Sequence, residues 1–293
     1  MQEIQLIVLL GASTLSAWTW VVYRSCRRQQ VLPSRPQFEL ASWGLLHVGF
    51  TIITVMLFQA ATQAIMEQQF PPARGDSLQP GEQAIQILVV ASAGLVGALL
   101  SLLSIVILPR NRPPGSDSNA LPLPKAIGFG LLGFCCFATP AYIIQSLLTP
   151  FDDTIHPIIK ALLESGDLTA FYYMALAVVL VVPFTEEIIF RLFIQGYLQT
   201  LFAPRTDSDL FVTDNGTPAP LPRSTCWPSI LISSTVFSLV HIPAGASTVV
   251  ALFPFAIGLG LLFQRTGRLL PSVVMHMALN GFTMLAIYLK LVG

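Results

Sequence analysis

Three short motifs put acid, base and amide side chains inside long apolar runs. In the segment 183–191, Glu186 and Glu187 are adjacent, so on a helix they point about 100° apart. Glu187 and Arg191 stand i, i+4 with the acid first, the order that favours an ion pair. That pair reads as structural support and leaves Glu186 facing another way. In the segment 237–241, Phe237 and His241 share one helical face, and Pro243 then ends the helix because proline lacks the N–H of the ladder. In the segment 276–280, His276 and Asn280 lie one turn apart on a single face.

Each motif alone has a bland explanation. Glu187 and Arg191 make a salt bridge, His241 bonds a backbone carbonyl, and His276 and Asn280 hydrogen-bond between helices as such residues do in bundles. Taken together they supply a carboxylate, two imidazoles and a carboxamide on three helices, in a chain with only 4 histidines. His156 falls in a loop between apolar runs, and His47, without an acidic neighbour, reads as packing or a helix contact.

The chemistry open to this set is narrow. A desolvated Glu186 suits a general base that takes a proton from water. The histidines can orient that water, stabilise an oxyanion or bind Zn²⁺ through neutral nitrogens. Asn280 can donate to a tetrahedral oxyanion. No serine elbow and no HExxH helix occurs in the chain. Hydrolysis by an activated water is the economical reading.

These residues need helices to carry them, and the composition says where. Of 293 residues, 54% are hydrophobic and 10% charged, with a mean hydropathy of +0.70. An ordinary soluble domain is roughly 25% charged, so lipid is the expected solvent. A spanning helix needs about 20 apolar residues. Runs that qualify or nearly do are Ile4–Tyr23, Leu40–Met66, Ala84–Leu108, Ala126–Leu148, Thr169–Phe190, Ser229–Ile242, Thr248–Phe263 and Leu269–Leu289. The expected fold is all-α, a polytopic transmembrane bundle of about eight helices.

Polar, proline-bearing stretches such as Gln69–Gln83, Arg110–Lys125 and Arg205–Pro228 read as loops between them. Apolar residues at Ile158, Ile159, Leu162 and Leu163 suggest a short amphipathic helix within His156–Asp167, on the external interface or in a packed connection. The chain divides into helices 1–4 (residues 1–150), unassigned, and helices 5–8 (residues 151–293), which carry the motifs, in one continuous bundle. Zero net charge gives no sign of nucleic acid. The cysteines, Cys26, Cys135, Cys136 and Cys226, lack CxxC spacing and read as packing residues.

Orientation follows from the basic residues. Of the 15 Lys and Arg, all but Arg74, Lys160, Lys290 and Arg191 fall in the odd-numbered loops. Those loops are expected on the cytoplasmic side and both termini outside, in a multi-pass protein of the plasma (inner) membrane. The first run has no positive charge before it and arginines after it, the pattern of a retained helix rather than a signal peptide. On straight helices with these boundaries, Glu186 lies about 25 Å from the external end and His241 about 18 Å from the cytoplasmic end. In a slab of about 30 Å they would sit at different depths.

The ordered triplet Glu-Glu-x-x-x-Arg, Phe-x-x-x-His and His-x-x-x-Asn, present as Glu186/Glu187/Arg191, Phe237/His241 and His276/Asn280, resembles the CPBP group, also described as the CAAX-protease and bacteriocin-processing, or Abi, family. The resemblance covers Glu186 to Asn280. It implies an intramembrane endopeptidase related to the type II CAAX prenyl endopeptidase, acting on a membrane-associated peptide or protein among membrane lipid. It further implies that Glu186 and His241 activate the water, and that His276 and Asn280 form the oxyanion site. The family is labelled metallo-, although a metal-free glutamate mechanism is also favoured; a zinc site would use Glu186, His241 and His276, a His₂Glu shell. Two other functions fit buried polar residues: a non-catalytic immunity or scaffold protein on the same fold, and a proton-coupled transporter. No repeated halves of the transporter kind are visible.

Overall fold

The computed structural model describes residues 2–32, 44–70, 79–107, 121–149, 157–203 and 223–293. They fold into helices α1 (Gln2–Cys26), α2 (Leu45–Gln69), α3 (Pro80–Ile107), α4 (Leu123–Leu148), α5 (Pro157–Ser165), α6 (Leu168–Phe202), α7 (Arg223–Leu239), α8 (Ala246–Thr266) and α9 (Leu269–Val292). Among the described residues, 7 helices are long and apolar enough to cross a membrane, and α7 contributes a shorter apolar stretch, Cys226–Leu239. The chain is an integral multi-pass membrane protein with an all-helical bundle. His156 and most of the three polar loops lie outside the described residues.

The expected spans are all present, with one large difference. The fifth does not stop at Phe190 but continues to Phe202, giving a helix of 35 residues. Arg191 does not end it, because Glu187 neutralises the guanidinium within the helix and apolar Leu192, Phe193 and Ile194 carry the pattern onward. The short amphipathic helix is α5. It buries Leu162 against Phe171, Met174 and Met284 and leaves Lys160 and Glu164 exposed. Asp167 caps α6 by accepting from the N–H groups of Thr169 and Ala170, which would otherwise be orphaned. His47 caps the start of α2, its Nδ1 accepting from the Gly44 N–H at 3.4 Å.

The centre of the bundle is α4 against α8 and α9, with α7 packed on α8 and α6. Small residues let α4 come close: a Cβ on Gly130 would sit 2.7 Å from the Pro271 carbonyl oxygen of α9. Phe237, Phe255, Leu259 and Met275 fill the space between these helices. The α2–α3 hairpin packs on the other side of α6, where Val55, Ala98, Ile188 and Phe193 form a second cluster. No disulfide joins the four cysteines; Cys136 and Cys226 are buried in packing, as expected for small helix residues.

Between α7 and α8 the backbone turns inside the apolar region. Pro243 sits in a single 3₁₀ turn, Ile242–Ala244, followed by Gly245 at φ +102°, a conformation costly for any residue with a side chain. His241 is therefore delivered two residues past the end of α7, just before this turn.

Candidate functional site

Counted from the ends that α6 and α7 share, Phe202 and Arg223, Glu186 lies about 24 Å along its helix and His241 about 27 Å along its own. The two groups are at one depth. The mismatch expected from the sequence came from ending the fifth span at Phe190, twelve residues early, and from starting the sixth at Ser229, six residues late.

Glu186 then meets both imidazoles. Its Oε1 is 4.0 Å from His241 Nε2, and its Oε2 is 3.7 Å from His276 Nε2. Oε2 is buried and makes no hydrogen bond. Separations of this size are too long for direct bonds but leave room for one water to bond both groups. Each histidine is locked through its other nitrogen. His241 Nδ1 lies 2.8 Å from the Phe237 carbonyl, one turn earlier on α7. His276 Nδ1 lies 3.0 Å from Glu187 Oε1. Since a carbonyl and a carboxylate only accept, both Nδ1 atoms carry the proton, and both rings present Nε2 to Glu186.

Glu187 has two partners. Beside His276 it accepts from Arg191 Nε through Oε2 at 3.2 Å, with both side chains wholly buried. Arg191 also donates from Nη1 to Ser233 Oγ at 3.4 Å, and that hydroxyl donates to the Phe190 carbonyl at 2.8 Å. The i, i+4 pair was legible in the sequence; the bond to His276, 89 residues away, was not. Phe237 is the wall they share. Its ring meets Phe190 edge-on at 5.1 Å, lies 4.9 Å from His241 and 5.6 Å from His276, and has the Arg191 guanidinium 5.2 Å from its centre. Phe255 faces His276 from α8 at 6.4 Å.

Asn280 is placed differently. Its Nδ2 donates to the Val178 carbonyl at 2.8 Å, on α6 well before Glu186. The reason lies in the winding of α6. Over Leu176–Val181 the helix is of π type, and the Val182 N–H bonds the Ala177 carbonyl rather than that of Val178. The next position along is Pro183, which has no N–H. Val178 is left with an unused carbonyl at membrane depth, and Asn280 satisfies it with one of its two amide protons. Asn280→Leu is therefore expected to destabilise the fold by about 1–3 kcal/mol. In a Pro183→Ala background, where the backbone regains a donor, the same change should cost measurably less. Thermal unfolding of the four variants forms the cycle that checks this.

Sequence reasoning missed Ser233, Phe255 and the Val178 carbonyl. Ser233 carried a signal, since it precedes Phe237 by one turn on the same face. The carbonyl carried none beyond the proline.

For zinc, the donor chemistry is suitable: two imidazoles with anchored Nδ1 atoms and one carboxylate. The geometry does not close. Among the described residues, no group of three or more His, Cys, Asp or Glu is arranged to hold a metal ion.

Residues 168–282 match the family model for type II CAAX prenyl endopeptidase, Rce1-like. The matched segment runs from the start of α6 into α9 and contains all three motifs, so the resemblance drawn from them is upheld for that part of the chain, and the similarity is to a protease family. No curated protein and no solved structure matches the chain.

Proposed function

We propose that the Rce1-like segment makes this membrane protein an intramembrane endopeptidase that hydrolyses a peptide bond with water activated by Glu186 and His241. The observation that supports this best is the convergence of two imidazole Nε2 atoms on the unbonded carboxylate oxygen region of Glu186, each ring anchored behind by its Nδ1. A water between Glu186 and His241 gives its proton to Glu186 as its oxygen attacks the scissile carbonyl carbon. The carbonyl π electrons move to oxygen, where the amide proton of Asn280 that Val178 does not use stabilises the charge, joined by His276 when its Nε2 also carries a proton. As the C–N bond breaks, Glu186 returns the proton to the departing amine. Glu187 and Arg191 hold His276 in position without meeting the substrate.

The substrate class is a membrane-associated peptide or protein, prenylated or not, and the distribution of Lys and Arg supports odd-numbered loops on the cytoplasmic side with both termini outside. The reaction is written for side chains alone; zinc content of the purified protein and activity after chelation measure whether a metal joins them.

Comparison of membrane proteomes from cells expressing the wild type and the Glu186→Gln form tests the reading. An uncut protein should accumulate in the second, and the purified wild type in vesicles should cut it. Identical proteomes, with an unchanged phenotype in Glu186→Gln and His241→Ala, would favour the non-catalytic scaffold instead.

A further inference from the structure

Away from the three motifs, α2 and α3 flank an open cavity of about 580 Å³, within the size range of ligand pockets. Gln59, Gln63, Gln83 and Gln86 line it, over an apolar floor that includes Ile87 and Val90. None of the described lining residues is charged. Gln86 is only 7% exposed, and its Nε2 is buried without a hydrogen-bond partner. A buried amide donor left unpaired costs free energy in the protein as it stands, and so points to a missing acceptor. Gln63 is turned toward Glu67, with Nε2 to Oε1 at 2.8 Å. Gln59 is pressed against α3, where a Cβ on Gly94 would lie 2.7 Å from its Nε2.

The carboxamides descend into the bilayer. From the neighbouring ends at Gln69 and Pro80, Gln86 lies about 9 Å along α3 and Gln59 about 15 Å along α2. The second depth is half of a slab of about 30 Å, below the level of lipid headgroups. What needs neutral donors and acceptors at that depth is polypeptide backbone outside a helix. An unwound stretch in hydrocarbon leaves every N–H and C=O unpaired, at several kcal/mol each. Glutamine offers both a donor and an acceptor without charge. A lipid tail gains nothing from four amides, and an anionic group would call for a cation, which the described lining residues do not include.

We infer that the α2–α3 cavity binds an extended, uncharged segment of the substrate's own backbone. This rests on the peptidase reading, since cleavage requires the substrate to be unwound. The geometry links the two places. Gly81 lies against Asp167 at the start of α6, and Ala98 packs in one cluster with Ile188, so α3 and α6 run in parallel. Gln86 is then about 18 Å along the bundle from the level of Glu186. An extended strand of about five or six residues covers that axial distance, and a longer one is needed to pass around α6 to Glu186.

The test is a binding measurement that needs no turnover. Full-length Glu186→Gln protein in phosphatidylcholine nanodiscs is titrated with an alanine–threonine peptide about six residues long bearing a C-terminal alkyl anchor, and with its N-methylated twin. The twin keeps the carbonyls and loses the N–H donors. The ordinary peptide should bind about tenfold more tightly, the worth of one or two hydrogen bonds. Gln59→Leu/Gln86→Leu should erase the preference, and Gln86→Met alone should reduce it. Equal binding of the two peptides overturns the inference. So does a preference that survives in a variant with an unchanged thermal transition, or a phospholipid held in the cavity that neither peptide displaces. Because Glu186 is already replaced, failure of the catalytic reading leaves this result unaffected.

Discussion

Replacing Glu186 by glutamine is expected to lower kcat by about 10²- to 10⁴-fold, the usual worth of a positioned general base. The change keeps the size of the side chain and removes only its capacity to take a proton. KM should stay within a factor of about 2 of wild type, because the group acts on water rather than on bound substrate. Stability should hold or rise. Glu186 Oε2 is buried without a hydrogen bond, and an amide in its place carries no charge to desolvate. The useful signature is this split between lost turnover and an unmoved melting temperature, read on vesicle-reconstituted protein with the accumulated precursor as substrate. A variant that cleaves normally removes Glu186 from the chemistry. One that also melts early would make it a structural residue instead.

Glu187 should behave in the opposite manner. Its carboxylate is wholly buried between Arg191 and His276. Glu187→Leu leaves the Arg191 guanidinium in the bundle interior without its bonded carboxylate, beside Ser233 and the Phe237 ring. Removing one partner of a buried pair costs about 3–5 kcal/mol, so this variant is expected to melt far earlier or to fail to accumulate. The double variant Glu187→Leu/Arg191→Leu removes both charges together and should regain most of that loss, since apolar replacement of a whole buried pair is close to neutral. Activity should not return with stability. In the double variant nothing anchors His276 Nδ1, and loss of an orienting carboxylate costs roughly 10²-fold or more in kcat. If the double variant is both stable and fully active, Glu187 serves the fold alone.

The predictions differ in how far they could be reached without coordinates. That Glu187 and Arg191 pair is a local matter of one helical turn, and an i, i+4 spacing states it directly. That the same carboxylate also holds His276 depends on where α9 crosses α6 and on how each helix is rotated. Those quantities come from packing, above all from the close approach of α4 to α9 at Gly130 and the filling of the centre by Phe237 and Met275. Asn280 is the sharper case. A polar residue one turn from His276 reads naturally as a member of the same site, yet its amide goes to a carbonyl that π winding and Pro183 leave open.

The linear order of residues determined the solvent, the number of apolar helices, the short amphipathic α5, the break after His241 and the identity of the polar groups inside the bilayer. All of these depend on composition or on spacing within a few residues, where the helical period does the work. Tertiary structure decided the depth of Glu186, which follows from the true length of α6, and the meeting of two Nε2 atoms at one carboxylate. It also assigned Glu187 to two partners at once. The reason is physical. Burial of charge in lipid demands a partner, and composition reveals that demand, but which partner answers is settled only when the helices pack.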